Sequence, residues 1–171
     1  MTDLQYPVGR FTLPESSTAE QRQQWVHEIA RTPQELRAAV SGFSENQLDT
    51  PYRRGGWTVR QVIHHVPDSH MNAFIRFKLA LTEDQPIIKP YDEARWATLA
   101  DAALPIEPSL DLLEALHIRW VRLLQTMSEL DYRRTFVHPE SGAWRLDQYL
   151  AQYAWHGQHH AGHIRLVASV R

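Results

Sequence analysis

Apolar residues recur every three or four positions along four long segments of the chain, which is the pattern of amphipathic helices. The first segment begins near Thr18, and the other three cover about residues 58–81, 109–127 and 145–170. Strict alternation of apolar and polar residues, which would indicate strands, is nearly absent. Only residues 134–138 are compatible with a short strand.

Boxes of the form Ser/Thr-x-x-Glu/Gln mark the expected starts of helices, because the two side chains satisfy free backbone N–H groups. They begin at Thr18, Thr32, Ser44 and Thr58. Pro33 directly follows Thr32, at the first helical position where proline is best tolerated. We therefore expect the first helix to break near Arg31 and to continue to about Val40. A short turn of helix should follow around Glu45.

The segment between the second and third long helices is rich in proline and predicts a long crossover, with a turn of helix near residues 93–99. The pattern as a whole indicates an all-α fold, an antiparallel four-helix bundle with that crossover between helices 2 and 3. We interpret residues 1–171 as one domain. Residues 1–16 show no period and should form an extended arm, which lies on the bundle or reaches a neighbouring subunit.

The amino-acid composition limits the kinds of ligand and partner that the protein can bind. The chain has no cysteine, so a metal ion would have to bind imidazole, carboxylate or water. A formal net charge of −2 without a basic cluster argues against nucleic acid and against an anionic membrane surface. The first residues lack the features of a secretory signal, so we expect a cytoplasmic protein. A small-molecule substrate fits this composition.

Histidine is the compositional anomaly: the chain has ten, and four of them lie between His156 and His163. Two i, i+4 pairs are available on this helix, a spacing suited to chelation. On a helical wheel His160 falls inside the apolar stripe and His156 on its margin. His159 points well away from the stripe and His163 lies further round. The inward pair is therefore predicted to be His156 and His160.

Two ligands make a poor metal site, so a third is needed from another helix. His64 and His65 flank the apolar stripe of the second helix on opposite sides, and periodicity does not decide between them. His70 and His117 fall on the core faces of their helices. For these two, a hydrogen-bonded core histidine is the favoured interpretation over a metal ligand.

Several stretches of the chain resemble the DinB superfamily, and within it the YfiT-like metal-dependent hydrolases. They are residues 48–62, 68–78, 89–92 and 153–160. In that family the first metal ligand follows by eight residues the tryptophan that opens the second helix, which here is Trp57. The resemblance therefore implies His65 as the first ligand. It implies the His-x-x-x-His pair of the last helix, His156 and His160, as the other two.

The resemblance also implies one divalent metal ion per subunit, Zn²⁺ or Ni²⁺, and a hydrolase that uses metal-activated water. Together with the proline-bearing arm it predicts a homodimer. One alternative is a thiol S-transferase of the bacillithiol type, which would take a low-molecular-weight thiol from outside. Another is a metal-binding stress module without turnover, with a fourth protein ligand such as His117 in place of water.

Catalytic residues cannot be assigned from the sequence, because no carboxylate follows a helical ligand at the spacing of a zincin general base. Asp68, three residues after His65, could orient an imidazole, although a solvated aspartate fits equally well. Six side chains are candidates for the pocket wall by position, with packing or surface roles favoured for each. They are Tyr52, Trp57, Asn72, Arg76, Tyr149 and Tyr153.

Overall fold

The computed structural model describes residues 3–168 and consists mainly of four long helices in an antiparallel bundle, as predicted. In chain order the elements are α1 (Ala19–Ala39), α2 (Glu45–Leu48), α3 (Val59–Thr82), α4 (Glu93–Trp96), a 3-10 turn (Ala100–Ala103), α5 (Glu107–Gln125), α6 (Glu129–Arg133), β1 (Thr135–His138), β2 (Gly142–Arg145) and α7 (Leu146–Ala168). None of the described helices has the length and apolar character needed to cross a membrane. The predicted end of the last helix at Val170 lies outside the described residues.

The long helices are arranged so that α1 packs against α5 and α7, and α3 packs against the same two. Helices α1 and α3, although consecutive long elements of the chain, therefore face each other across the bundle. The long crossover that contains α4 and the 3-10 turn joins α3 to its neighbour α5. This winding makes α3 and α7 adjacent, which is what allows side chains of the two helices to meet.

The core has two apolar halves. One is built around Phe77, Trp120 and Leu150, and the other around Leu36 and Ile63. His70 on α3, and His156, His159 and His160 on α7, fall between the residues of the two halves. A polar layer therefore divides the core, and it lies where α3 and α7 are in contact.

The predicted break of the first helix near Arg31 is wrong. Helix α1 runs through Pro33 without interruption, and Thr32 does not cap a new helix. Its hydroxyl instead donates to the Glu28 carbonyl at 3.1 Å. A proline inside a helix removes one backbone hydrogen bond, and packing between α1 and its two neighbours outweighs that loss here.

The other three predicted boxes do cap helices, with reciprocal bonds from Thr18, Ser44 and Thr58. Helix α5 begins two residues earlier than expected, at Glu107, and ends at Gln125. The short turn of helix expected near residues 93–99 is α4.

A small hairpin precedes α7. The possible strand at residues 134–138 is present as β1, and it pairs antiparallel with β2, which the sequence pattern did not indicate. The crossover adds to this hairpin, because the Ile88 amide donates to the Val137 carbonyl and the Val137 amide donates to the Pro86 carbonyl. The hairpin and the crossover are thereby tied together beside the end of the bundle where α7 begins.

The N-terminal arm lies along α7 of its own bundle. Trp155 donates its indole N–H to the Gly9 carbonyl at 3.0 Å, and Gln148 donates to the Pro14 carbonyl at 3.0 Å. A Cβ atom on Gly162 would lie 2.8 Å from Cγ of Pro7, so the glycine permits the close approach of the arm. Of the two possibilities left open by the sequence, the described residues of the arm adopt the first.

Gly157 lies in close contact with Thr32, since a Cβ atom on the glycine would lie 2.5 Å from Oγ1 and 2.8 Å from Cγ2 of Thr32. Gly157→Ala should lower the free energy of unfolding by about 1–3 kcal/mol through overpacking. This loss should exceed the gain in helix propensity of about 1 kcal/mol. Urea unfolding followed by circular dichroism measures the change.

The matched control is the double variant Thr32→Ala with Gly157→Ala, which removes both clashing atoms. It should recover most of the stability that the single glycine variant loses, after correction for Thr32→Ala alone. A Gly157→Ala protein as stable as the parent would contradict the close contact between α1 and α7.

Candidate metal centre

Three histidines from two helices converge at the boundary between α3 and α7. His65 comes from α3, and His156 and His160 lie one turn apart on α7. One ring nitrogen of each lies within 4.8 Å of the others. His65 Nε2 and His156 Nε2 are 3.4 Å apart. His160 is buried, while the other two are half-buried and face a cleft.

The environment keeps all three rings neutral. Burial lowers the pKa of His65 to about 4. Burial, followed by the charge of His65, lowers the pKa of His156 well below its usual range. Burial, followed by the charge of His156, does the same for His160. Neutral imidazole is the form that binds metal ions, so no proton has to be displaced from these rings near neutral pH.

The donor set fits a divalent cation. One ring nitrogen of each residue lies near the same point. The His65 and His156 nitrogens, 3.4 Å apart, would repel as two lone pairs unless a proton or a cation lies between them. Imidazole is a preferred ligand of zinc, nickel and related ions, and three protein ligands leave positions open for other molecules. His65, His156 and His160 are therefore residues that could hold a metal ion.

The structure distinguishes the two adjacent histidines of α3. His64 turns toward the crossover and α5, where its ring nitrogens lie 2.7 Å from Ser109 Oγ and 3.1 Å from the Leu104 carbonyl. Both of its nitrogens are thereby occupied. His65 is on the side that faces α7, where the sequence pattern alone could not place it.

His70 and His117 are hydrogen-bonded core histidines, as expected. His70 Nδ1 lies 2.8 Å from His117 Nε2, and His117 Nδ1 lies 2.7 Å from the Ile29 carbonyl. At the other side of its ring, His70 Nε2 lies 3.0 Å from His156 Nδ1. Both ring nitrogens of His117 are occupied by these hydrogen bonds, so His117 is not placed to serve as a fourth metal ligand.

His159 and His163 are buried, which corrects the prediction that both turn away from the interior. A helical wheel shows only which residues face the other helices of the bundle. The side chains of His159 and His163 are instead covered by the N-terminal arm and by the loop before α3. Tyr52 stacks on His163 with ring centroids 3.8 Å apart. His163 Nε2 lies 3.1 Å from the Gln5 carbonyl, and its Nδ1 lies 3.4 Å from His160 Nδ1.

A cleft of about 360 Å³ opens beside the three converging histidines. Four of the six side chains suggested for the pocket wall line it: Trp57, Arg76, Tyr149 and Tyr153. Residues that the sequence did not suggest complete the wall, and they come mainly from the crossover and the hairpin. They include Ser69, Tyr91, Glu93, His138, Glu140, Trp144 and Gln152. No periodic pattern links these short segments to α7, although residues 68–78 and 89–92, which contain Ser69 and Tyr91, carry part of the family resemblance.

The remaining candidates lie elsewhere. Tyr52 covers His163, and Asn72 donates to the Asp68 carbonyl at 2.8 Å. Burial and the charge of Asp101 raise the pKa of Asp68 to about 6. Within the described part of the chain, no hydrogen bond joins the Asp68 carboxyl to an imidazole. A role in orienting a histidine is therefore not supported for Asp68.

Comparison with known proteins agrees with the family resemblance seen in the sequence. The sequence model of the DinB superfamily matches residues 28–164. A protein of Bacillus cereus (strain 03BB102) that bears the name "Putative metal-dependent hydrolase" is 54% identical over 164 residues, which cover 96% of this chain and 95% of that protein. A similarly named protein of Bacillus mycoides (strain KBAB4) has the same identity and coverage.

Similar solved structures include the following two. One is described as "YfiT from Bacillus subtilis is a probable metal-dependent hydrolase with an unusual four-helix bundle topology"; it is 45% identical, with a TM-score of 0.95 over 97% of this chain and 96% of that one. The other is TT2238, a four-helix bundle protein, which is 19% identical with a TM-score of 0.56 over 82% of this chain and 94% of that one. At that identity TT2238 supports the fold alone.

The buried neutral histidines predict how stability depends on pH in chelator-treated protein. Burial lowers the pKa of both His65 and His117 to about 4, whereas an unfolded histidine titrates near ~6.5. Unfolding therefore takes up protons between these values. The free energy of unfolding should be highest above about pH 7 and should fall by about 1.4 kcal/mol per pH unit for each such proton as the pH drops toward 4.

Urea unfolding at a series of pH values, in the presence of a chelator, measures this slope. His117→Gln should make it shallower by about one proton, since glutamine does not titrate. A free energy of unfolding that stays constant or rises between pH 6.5 and 4.5 would contradict the neutral histidine layer.

Proposed function

The chain belongs to the DinB superfamily, and we propose that it is a metal-dependent hydrolase whose single divalent cation binds to His65, His156 and His160. The observation that carries the proposal is the convergence of three neutral imidazoles at the edge of an accessible cleft. The names of the Bacillus cereus protein and of YfiT from Bacillus subtilis support it. Zn²⁺ and Ni²⁺ both suit an all-nitrogen site of this kind.

A divalent cation on three neutral ligands, when bound, acts as a Lewis acid that lowers the pKa of water and polarises a carbonyl group. The side chains of the cleft have the complementary tasks of binding and orienting the substrate. Trp57 packs against His65 with ring centroids 4.7 Å apart and limits the positions that the imidazole can take. Glu93 and Glu140 lie at the exposed rim of the cleft.

Arg76 is the charged group of the cleft wall that points most clearly to a substrate class. It is only 7% exposed. Its acceptors among the described residues are the Tyr149 hydroxyl at 2.7 Å and the Lys89 carbonyl at 3.3 Å, both neutral. A buried cation without a counter-ion is costly, and an anion that enters the cleft would lower that cost. The proposed substrate therefore carries a carboxylate or a similar anionic group.

Two tyrosines continue from Arg76 toward the histidines. The Tyr149 hydroxyl donates to the Tyr153 hydroxyl at 3.3 Å, and Tyr153 donates to the Ser69 carbonyl at 3.2 Å. Burial, followed by the proximity of Tyr153, raises the pKa of Tyr149 well above its usual range. Tyr149 thus stays protonated and serves as a hydrogen-bond donor and acceptor, rather than as a general base.

The metal site is tested by His160→Ala. Two imidazoles hold a divalent ion weakly, so affinity for Zn²⁺ should fall by more than the ~10- to 100-fold typical of losing an outer hydrogen-bond partner. Competition with a chromophoric chelator measures the affinity, and hydrolysis of a panel of small esters and amides measures activity with and without metal.

His27→Ala is the matched control, because His27 is exposed on α1 and remote from the cleft. Circular dichroism should show that both variants remain helical, since a core of this size does not depend on a metal ion to fold. Full stoichiometric metal in His160→Ala would refute the site. Activity that survives chelation, or that requires an added thiol, would refute metal-dependent hydrolysis.

The anion-binding role of Arg76 is tested separately. Arg76→Met should lower kcat/KM by roughly 10- to 100-fold for a substrate that carries a carboxylate, because a hydrogen bond to a charged group is worth about 1.5–3 kcal/mol. The neutral methyl ester of the same substrate should be affected much less. Arg119→Met, on the exposed face of α5, is the control. An equal loss for both substrates would contradict an anion site at Arg76.

A further inference from the structure

We infer that two chains of hydrogen-bonded histidines, each ending on a main-chain carbonyl, fix the tautomers of His156 and His160 so that both present Nε2 to the metal site. The inference rests on the proposed metal site, since it concerns how its ligands are oriented. It assigns positioning roles to three further histidines, and it makes the N-terminal arm part of the site.

The first chain starts at a carbonyl of α1. A carbonyl oxygen only accepts, so His117 must carry its hydrogen on Nδ1, which lies 2.7 Å from the Ile29 oxygen. A neutral imidazole has a single N–H, and therefore Nε2 of His117 accepts. His70 then donates from Nδ1 at 2.8 Å.

The requirement for one donor and one acceptor nitrogen also fixes the tautomer of His156. Since His70 holds its hydrogen on Nδ1, its Nε2 must accept, and the partner at 3.0 Å is Nδ1 of His156. His156 therefore donates from Nδ1 and keeps a free lone pair on Nε2. That nitrogen is the one that lies 3.4 Å from Nε2 of His65.

The second chain starts on the N-terminal arm. His163 Nε2 lies 3.1 Å from the Gln5 carbonyl and must donate to it, so His163 Nδ1 accepts. The atom that faces this acceptor, at 3.4 Å, is His160 Nδ1. His160 therefore carries its hydrogen on Nδ1 and keeps Nε2 free for the metal site.

Burial favours the neutral form of each ring, which has a single N–H. His70, His117 and His163 are all buried, and a charged ring with two N–H groups would place a donor against a donor in each chain. The arrangement also accounts for the group formed by His159, His160 and His163, whose nitrogens lie close enough to suggest a second metal site. His163 already uses both of its nitrogens, so this group orients a ligand instead of binding a second ion.

The positions of the two ligands of α7 are thus set before any metal binds. Ligands whose second nitrogen is held by a hydrogen bond are more basic and better oriented than free ones, and removing such a partner typically weakens metal binding about 10- to 100-fold. His65 differs, since packing against Trp57 orients it.

Nitrogen-15 NMR of the metal-free protein tests the tautomers directly, independently of any enzymatic activity. Couplings between ring carbon-bound protons and ring nitrogens distinguish the two neutral tautomers. His70, His117, His156 and His160 should carry hydrogen on Nδ1, and His163 should carry it on Nε2. The opposite tautomer at His156 or His160 would overturn the inference, whether or not the protein proves to be a hydrolase.

Zn²⁺ affinity provides the second measurement, with matched pairs of variants. His163→Leu and His70→Leu remove the acceptor and should each weaken binding about 10- to 100-fold. His163→Asn retains an oxygen near the position of Nδ1, and His70→Gln retains one near Nε2, so both should recover a large part of the loss. Equal affinity in the leucine and amide variants would refute the positioning role. A second equivalent of Zn²⁺ that is lost in His163→Asn would show that the histidine group is a metal site after all.

Discussion

Removal of imidazole rings from water is the constraint on which the rest of the structure depends. Six histidines are buried in the described part of the chain, and two more are half-buried beside them. A buried ring favours its neutral form, which still has one donor and one acceptor to satisfy. Most of these rings meet the requirement by pairing with one another, with a serine hydroxyl or with backbone carbonyls, whereas the buried Nδ1 of His159 has no partner among the described residues. The facing ring nitrogens of His65, His156 and His160 converge beside the cleft, where the proposed cation would bind.

Elements on all sides of the polar layer contribute contacts that position its side chains. Close contact between Gly157 and Thr32 brings α7 against α1, and Gly162 lets the arm approach the other face of the same helix. The arm then supplies the Gln5 carbonyl to His163, as α1 supplies the Ile29 carbonyl to His117. The crossover and the hairpin close the cleft and position Arg76 beside it. Elements outside the four helices therefore contribute as much to the site as the helices do.

Local patterns in the sequence were sufficient for much of this architecture. Helix boundaries followed from apolar periodicity and from capping boxes, and the wheel separated His156 and His160 from the other histidines of α7. Pro33 led to a wrong prediction, because tertiary packing stabilises α1 through a residue that usually begins or ends a helix. The burial of His159 and His163 could not be foreseen, since it depends on an arm without periodicity. Periodicity could not choose between His64 and His65, and only the family resemblance indicated His65 before the positions of α5 and α7 were known.

The central claim, that three histidines hold one catalytic cation, is tested most directly by crystals of the Zn²⁺-loaded protein measured on both sides of the zinc absorption edge. We expect one anomalous peak per protein chain, within bonding distance of Nε2 of His65, His156 and His160. Only water or small molecules should occupy the remaining coordination positions of the ion. A peak among His159, His160 and His163, a fourth protein ligand, or no peak at the converging nitrogens would contradict it.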